Sequence, residues 1–355
     1  MRTKSYGLAF TCILATTVIL LIFNDRRSNF HNLFTRQLKD NIQNIKDKFE
    51  GITNEKQLEN DEKYLSLLGF GENARLYPDD VWHNSSLPVV VSYVKEGDTE
   101  QGVGLARNIG HFLPNHTLLI YNVGLAKSDV QALLTHCNSS RCILVDYDLS
   151  VFPSHVYDSK LHAFRPLVIQ DALSRAGAVL YLDNRERLRT SRIGPLVNRS
   201  ATTSVLTWRT HQRPVTTLTH PHMFLYFKAS SDNFIFVPMV GLARLLVFNT
   251  DSVHANVMLP WVQCALTQDC IIPVGAQSGG CRFDKKPFYR YSGCHSYDVS
   301  ALNIVLGLHF KFESELYALK DHPGQYFRRV GSHDTALELA ALQENTTADG
   351  LPTPS

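Results

Sequence analysis

From residue 88 onward, short β-branched apolar runs alternate with stretches whose apolar residues recur every three or four positions. Residues 88–94 (PVVVSYV), 117–122 (TLLIYN), 142–147 (CILVDY) and 178–182 (AVLYL) read as strands. Between them, 102–112, 126–134 and 162–176 have helical spacing, and in the last of these Phe164, Leu167, Val168, Ala172 and Leu173 share one side. Strands alternating with helices of this length predict right-handed βαβ units, hence an α/β fold with a mostly parallel sheet. The strands are apolar without interruption, which predicts helices on both faces of the sheet. After about residue 200 the order loosens: strands are predicted at 204–208 and 245–249, and helices at 253–266 and 299–308.

The first part of the chain has another texture. Residues 6–23 form an 18-residue stretch without a charge. As a helix this stretch spans roughly 27 Å, enough for a thin early-secretory bilayer. A cleaved signal peptide is the rival, but the run is long for one, and Phe23-Asn24-Asp25 is no small-residue cleavage site. The expectation is a transmembrane anchor over 6–23 after a cytosolic tail of 1–5. Flanking charge opposes this orientation, with Arg2 and Lys4 before the run and Arg26, Arg27, Arg36 and Lys39 after it. Five N-x-[ST] triplets, at Asn84, Asn115, Asn138, Asn198 and Asn345, favour a glycosylated lumenal body. The predicted setting is therefore a single-pass type II protein of the Golgi or endoplasmic reticulum membrane. Residues 24–85 are polar and read as a stem. Within it Leu38, Ile42, Ile45, Phe49 and Ile52 make a two-heptad seam, either a lone amphipathic helix lying on the main domain or a stem-mediated homodimer contact. The main domain is expected over 86–330, and a flexible tail over 331–355.

Composition narrows the classes. The 355 residues are 44% hydrophobic and 19% charged, which excludes a wholly disordered chain. Lys and Arg number 35 against 33 Asp and Glu, and setting aside Arg2 and Lys4 leaves equal numbers, so no nucleic-acid partner is expected. Of seven cysteines, Cys12 falls in the apolar run. The other six lie in close pairs, Cys137 with Cys142, Cys264 with Cys270 and Cys281 with Cys294, and nearest-neighbour disulfides are the expectation. No C-x-x-C is present, which argues against structural zinc.

Several motifs are missing: a Walker loop, G-x-S-x-G and H-E-x-x-H. Gly102-Val103-Gly104 begins like a dinucleotide fingerprint, but Arg107 stands where the third glycine belongs. His220-Pro221-His222 reads as a loop rather than a metal pair. The most informative segment is 178–188 (AVLYLDNRERL), in which an apolar strand delivers Asp183 at its carboxyl end. Ligands of open α/β sheets bind there. Asp183 either holds a divalent metal that neutralises a diphosphate, or makes an Asx turn.

Wider patterns accompany this segment. His162-Ala163-Phe164-Arg165-Pro166-Leu167-Val168-Ile169 precedes the helix that leads to VLYLD, and His295-Ser296-Tyr297-Asp298-Val299-Ser300-Ala301-Leu302-Asn303 follows later. Leu119 to Leu125, Val145 to Asp148 and Phe152 to Val156 belong to the same set. Over roughly 87–310 the chain resembles the GT-A-fold glycosyltransferases, and more closely a family of animal type II membrane proteins with a nucleotide-diphospho-sugar transferase-like domain. The resemblance implies a GT-A-like domain, a nucleotide-sugar donor and a glycan or glycoprotein acceptor. It implies Asp183 as a metal and nucleotide-sugar ligand, Glu186 as a second metal ligand for Mn or Mg, and Arg165 as a diphosphate clamp. The nucleotide would lie near Ser92 and Tyr93, and Asp298 would be the acceptor-side acid or base, or else a helix N-cap. His295 would touch phosphate or pack. The departure is Arg185, which stands where a D-x-D has its second acid. Sugar transfer in the secretory pathway is the function implied, and a catalytically inactive glycan-binding or structural membrane protein is the alternative.

Overall fold

The computed structural model describes residues 57–58, 61–71, 88–137, 140–284, 286–320 and 324–348. The chain divides into two units, 1–57 and 58–355, and the fold is that of the second. The anchor expected over 6–23, the heptad seam and the sequons at Asn84 and Asn138 lie outside the described residues. Among the described residues no helix is long and apolar enough to cross a membrane. Asn115 and Asn198 are exposed.

The α/β reading agrees with the structure. A seven-stranded sheet runs in the order β3-β2-β1-β4-β7-β6-β8. Its first half is β1 (Val89–Val94), β2 (Leu118–Asn122), β3 (Cys142–Asp146) and β4 (Ala178–Leu182), all parallel to one another. β7 (Pro238–Phe248) pairs antiparallel with both β4 and β6 (Val205–Pro214), and β8 (Ala318–Leu319) lies parallel to β6 at the edge. Thus β7 alone is reversed within this sheet. β5 (Glu186–Leu188) and β9 (Phe327–Arg329) form a separate antiparallel ribbon.

Alternate residues of each strand feed two cores. Val90, Leu118, Ile120, Leu180 and Leu182 face a cluster completed by α2 (Thr99–Phe112), α3 (Lys127–Leu134) and α5 (Gly194–Ser200). Val91, Tyr93, Val179 and Tyr181 face the other, built with α4 (Phe164–Ala176), α6 (Pro221–Tyr226), α7 (Leu259–Leu266) and α8 (Asp298–His309). Burial on both sides explains why these strands read as unbroken apolar runs. Gly177 ends α4 in the left-handed region (φ +77°), where a side chain would be strained, and turns the chain straight into β4.

Three segments differ from the expectation. The helix predicted over 253–266 is broken, with a π-helical turn at His254–Met258 before α7. Pro260 in the first turn of α7 has no N–H to donate backwards, which accounts for the widened turn. Part of the predicted stem, α1 (Glu62–Leu67), leads into the domain: Leu68 is fully buried and its carbonyl accepts from Gln170 Nε2 at 3.0 Å. Where a loose tail was expected, Ser332–Ala348 forms a helix, α9, whose Thr335 is buried and bonds Gln101 Oε1 at 2.9 Å. The six cysteines join as nearest neighbours in three disulfides.

Gly102 and Gly104 lie within α2, not in a strand-to-helix phosphate loop. Gly102 sets how closely α2 approaches β1, because a Cβ there would stand 2.8 Å from Val94 Cγ1. Gly102→Ala is expected to lower stability by about 1 kcal/mol despite alanine's better helix propensity, since the overlap costs more than the propensity returns. A urea denaturation midpoint equal to or above that of the wild type would contradict this packing.

Candidate functional site

The carboxyl ends of β1 and β4 open into a cleft of about 460 Å³. Tyr93 and Lys95 come from the end of β1, and Asp98 from the N-cap of α2. Asp183, Asn184 and Arg185 come from the end of β4. His162 and Arg165 enter from the start of α4, and Arg329 from β9. A second recess of about 290 Å³ shares Lys95 and extends along Val123, Gly124 and Leu149 to Tyr157, an exposed aromatic.

The turn after β4 is fixed by its backbone. Asp183 N donates to Ala243 O at 2.8 Å, and Glu186 N donates to Asp183 O at 2.8 Å. Asp183 Oδ1 accepts from Arg185 N at 3.1 Å, which is the Asx turn that the sequence left open. The half-buried carboxylate nevertheless borders the cleft. Behind the turn, the buried Arg187 guanidinium donates to Asn184 O at 2.7 Å and Glu186 O at 2.9 Å. It also lies against Gly104, where a Cβ would clash with it. Glu338 of α9 pairs with Arg187 at 3.4 Å, so the C-terminal helix supports the site from outside.

Two of the expected site residues are each other's partner. Arg165 donates from Nε to Asp298 Oδ2 and from Nη2 to Asp298 Oδ1, both at 2.7 Å. Both residues are buried. Burial works against the Arg165 charge and Asp298 more than offsets it, leaving the guanidinium above its ordinary pKa. A fork committed in this way is not free to clamp a diphosphate, and a carboxylate held by it is not free to take a proton from an acceptor. Asp298 is the first residue of α8, following the N-cap Tyr297, and its carboxylate also accepts from the backbone N–H groups of Asp298 and Val299 at the start of the helix; its carbonyl accepts from Trp261 Nε1 at 2.9 Å. The residues that lead into the pair are both strained: His162 has φ +53° and Tyr297 φ +46°. Non-glycine residues persist there only where the surroundings over-determine them, commonly at functional sites.

The remaining expected residues sort as follows. Glu186 is buried and ion-paired with Arg244 at 3.3 Å and Arg329 at 3.7 Å, within the ribbon rather than among the cleft's described lining. Ser92 is wholly buried within β1 and does not border the cleft, whereas Tyr93 does. His295 packs away from the cleft. Its Nδ1 accepts from His220 N at 3.1 Å, so its Nε2 carries the proton and donates to Ile271 O at 3.2 Å. Among the described residues no group of three or more His, Cys, Asp and Glu side chains is gathered as a metal site.

Sequence reasoning missed Lys95, Asp98, His162, Asn184 and Arg329 as site residues. Lys95 and Asp98 follow the first strand directly, which was the available signal; Arg329 arrives through a ribbon that the sequence does not announce. Asp98 is buried, and that burial raises its carboxyl pKa against the lowering effect of an Asn184 hydrogen bond. His162 is pushed down to about 3 by burial and by the Arg165 and Lys95 charges, and its Nδ1 is buried with no hydrogen-bond partner.

No family model and no curated protein matches the chain. It is similar to solved structures at low identity. The mouse xyloside xylosyltransferase 1 apo structure has 11% identity, TM-score 0.38, and coverage of 66% of this chain and 84% of that one. The WbbM bifunctional glycosyltransferase apo structure has 14% identity and TM-score 0.35 over 56% of this chain and 38% of that one. The galactosyltransferase LgtC, solved with donor and acceptor sugar analogues, has 12% identity and TM-score 0.33 over 49% and 62%. The chain therefore spans well under two thirds of the length of WbbM and somewhat under two thirds of that LgtC structure. Similarity at this level assigns no residue and no activity.

The buried histidines set a pH dependence. His162 and His295 both lie at about 3 in the fold, chiefly through burial, and an unfolded histidine titrates near its ordinary value. Below that value the unfolded chain binds the extra protons, so stability is full above about pH 6.5 and falls as the pH drops, by at most about 1.4 kcal/mol per pH unit for each histidine. Urea unfolding at about pH 7 and about pH 5 is expected to show this fall, and His295→Gln is expected to flatten it. An unchanged slope in His295→Gln would contradict the neutral assignment.

Proposed function

We propose that the chain is a glycosyltransferase of the secretory pathway, which moves a sugar from a nucleotide sugar to a hydroxyl of a glycan or glycoprotein. The observation that carries this reading is the cleft at the carboxyl ends of β1 and β4, where cationic side chains stand beside hydrogen-bonding groups suited to sugar hydroxyls. That is where an open α/β sheet presents its ligand. Lys95 and Arg185 face the diphosphate in this reading, while Asp183, Asn184 and Asp98 take ribose or sugar hydroxyls. The recess beyond Lys95, with Tyr157 at its mouth, offers a face on which a nucleobase stacks. Neutral His162 lends an unsatisfied imidazole to the cleft itself. The resemblance of the sequence motifs to those of GT-A-fold enzymes and the predicted type II anchor fit this function, and three disulfides fit an oxidising lumen.

One observation favours a second reading. Of the carboxylates that the sequence offered for chemistry, Asp298 is locked to Arg165 and Glu186 to Arg244 and Arg329. A protein that retains the nucleotide cleft but performs no transfer would look like this. The two readings separate when UDP- and GDP-sugars are tested first for a thermal shift and then for release of the free nucleotide diphosphate with glycan acceptors. Binding with release is expected for the enzyme, and binding without release for the alternative. Asp183→Asn, near-isosteric and at a strand end, is expected to keep the fold while weakening binding by about tenfold or more. Undiminished binding by this variant would remove Asp183 from the site.

A further inference from the structure

We propose that this cleft holds a nucleotide diphosphate through Lys95, Arg185 and Arg329, without a divalent metal ion. The inference rests on the nucleotide-sugar reading and adds how the phosphate charge is met. It begins with the donors that a Mn or Mg ion would need. Such ions take a shell of oxygens, usually one or two carboxylates supplemented by phosphate and water. Among the described residues Asp183 is the only half-exposed carboxylate lining the cleft, and one of its oxygens already accepts from Arg185 N. Asp98 is buried, with its protonated form favoured by that burial. Glu186 spends its charge on Arg244 and Arg329, and the exposed Glu96 lines the adjoining recess rather than the cleft. Among the described residues lining the cleft, a second free carboxylate to share a metal with Asp183 is therefore missing.

The charges point the same way. Arg165 and Asp298 cancel within their own pair. Glu186 stands between two guanidinium groups, and of these Arg329 is 57% exposed, makes the longer contact at 3.7 Å and lines the cleft. Lys95 and the exposed Arg185 complete the positive set, against Asp183 and the buried Asp98. A divalent ion placed beside Asp183 would meet this set as like charge. A nucleotide-sugar diphosphate, with one negative charge on each phosphate, would meet it as counter-charge. Arginine at 185 thus takes the place of the metal that a second acid would have recruited, and its planar fork suits phosphate oxygens.

The experiment is a calorimetric titration of UDP, GDP and inorganic pyrophosphate into the full chain, once with EDTA and once with added Mn²⁺. Binding in EDTA is expected for at least one nucleotide diphosphate, with affinity changed by no more than about threefold on adding Mn²⁺. Arg185→Ala and Lys95→Ala are expected to weaken it in EDTA by roughly ten- to a hundredfold each, the loss of one charge-assisted phosphate contact. Thermal melts confirm that these variants, altered outside the core, remain folded. Binding that needs Mn²⁺ and is indifferent to Arg185→Ala would overturn the metal-free assignment and leave the nucleotide-sugar reading standing. An absence of binding by every nucleotide in both conditions would overturn the two together.

Discussion

The bidentate pair between Arg165 and Asp298 is the interaction around which the site is organised. It ties the first turn of α4 to the first residue of α8, two elements distant in sequence that flank the sheet's carboxyl edge. A buried ion pair is poor evidence of stability, because desolvation consumes much of its Coulombic gain. Its effect here is positional. With the Nε/Nη2 edge of the guanidinium taken, α4 is held at one rotation and His162 is held over the cleft in a backbone conformation that few residues adopt. Tyr297 is constrained in the same way on the other side. The cost of two strained residues and a desolvated pair is borne by the apolar packing of α4, α7 and α8 against the sheet.

The parallel half of the sheet was legible because physics leaves little choice there. A strand covered on both faces must be apolar along nearly its whole length, as β1 and β4 are apart from the buried Ser92, while β2 and the edge strand β3 keep apolar runs that end in Asn122 and Asp146. The antiparallel half was legible only in part. The strands predicted at 204–208 and 245–249 are the apolar ends of β6 and β7, which continue through Thr210, His211, Gln212 and Arg213 on one side and Gly241 and Arg244 on the other. The pairing has register shifts along β6. Val240 in this region is held by Asn303, which accepts from its N–H and donates to its carbonyl, both at 2.9 Å. A side chain from α8 thus serves a strand far away in sequence, and no local pattern signals it. The same limit applied to the site. Asp183 at a strand end was visible, whereas the mutual pairing of Arg165 and Asp298 was not, since residues 133 positions apart give no periodic signal.

The site differs from the sequence expectation in its charge balance more than in its place. The expected acids withdraw into ion pairs, and cations from three separate elements come forward. Arg187 and Glu338 hold the turn that presents Asp183 and Arg185, so the C-terminal helix belongs to the architecture of the cleft. An arrangement of this kind selects a ligand rich in negative charge and in hydroxyls, which describes a nucleotide diphospho-sugar.

The central claim is that Arg165 and Asp298 form a scaffold and do not themselves engage the ligand. The most direct measurement compares Arg165→Leu, Asp298→Leu and the double variant for chemical stability and for UDP affinity. Each single change strands a buried charge and is expected to cost about 3–5 kcal/mol, while the double change, which removes both charges, recovers most of that loss. A folded double variant that binds UDP within a few-fold of the wild type is the result this account expects. A double variant that folds as stably as the wild type yet has lost UDP binding would contradict it, and would return Arg165 to the role of diphosphate clamp.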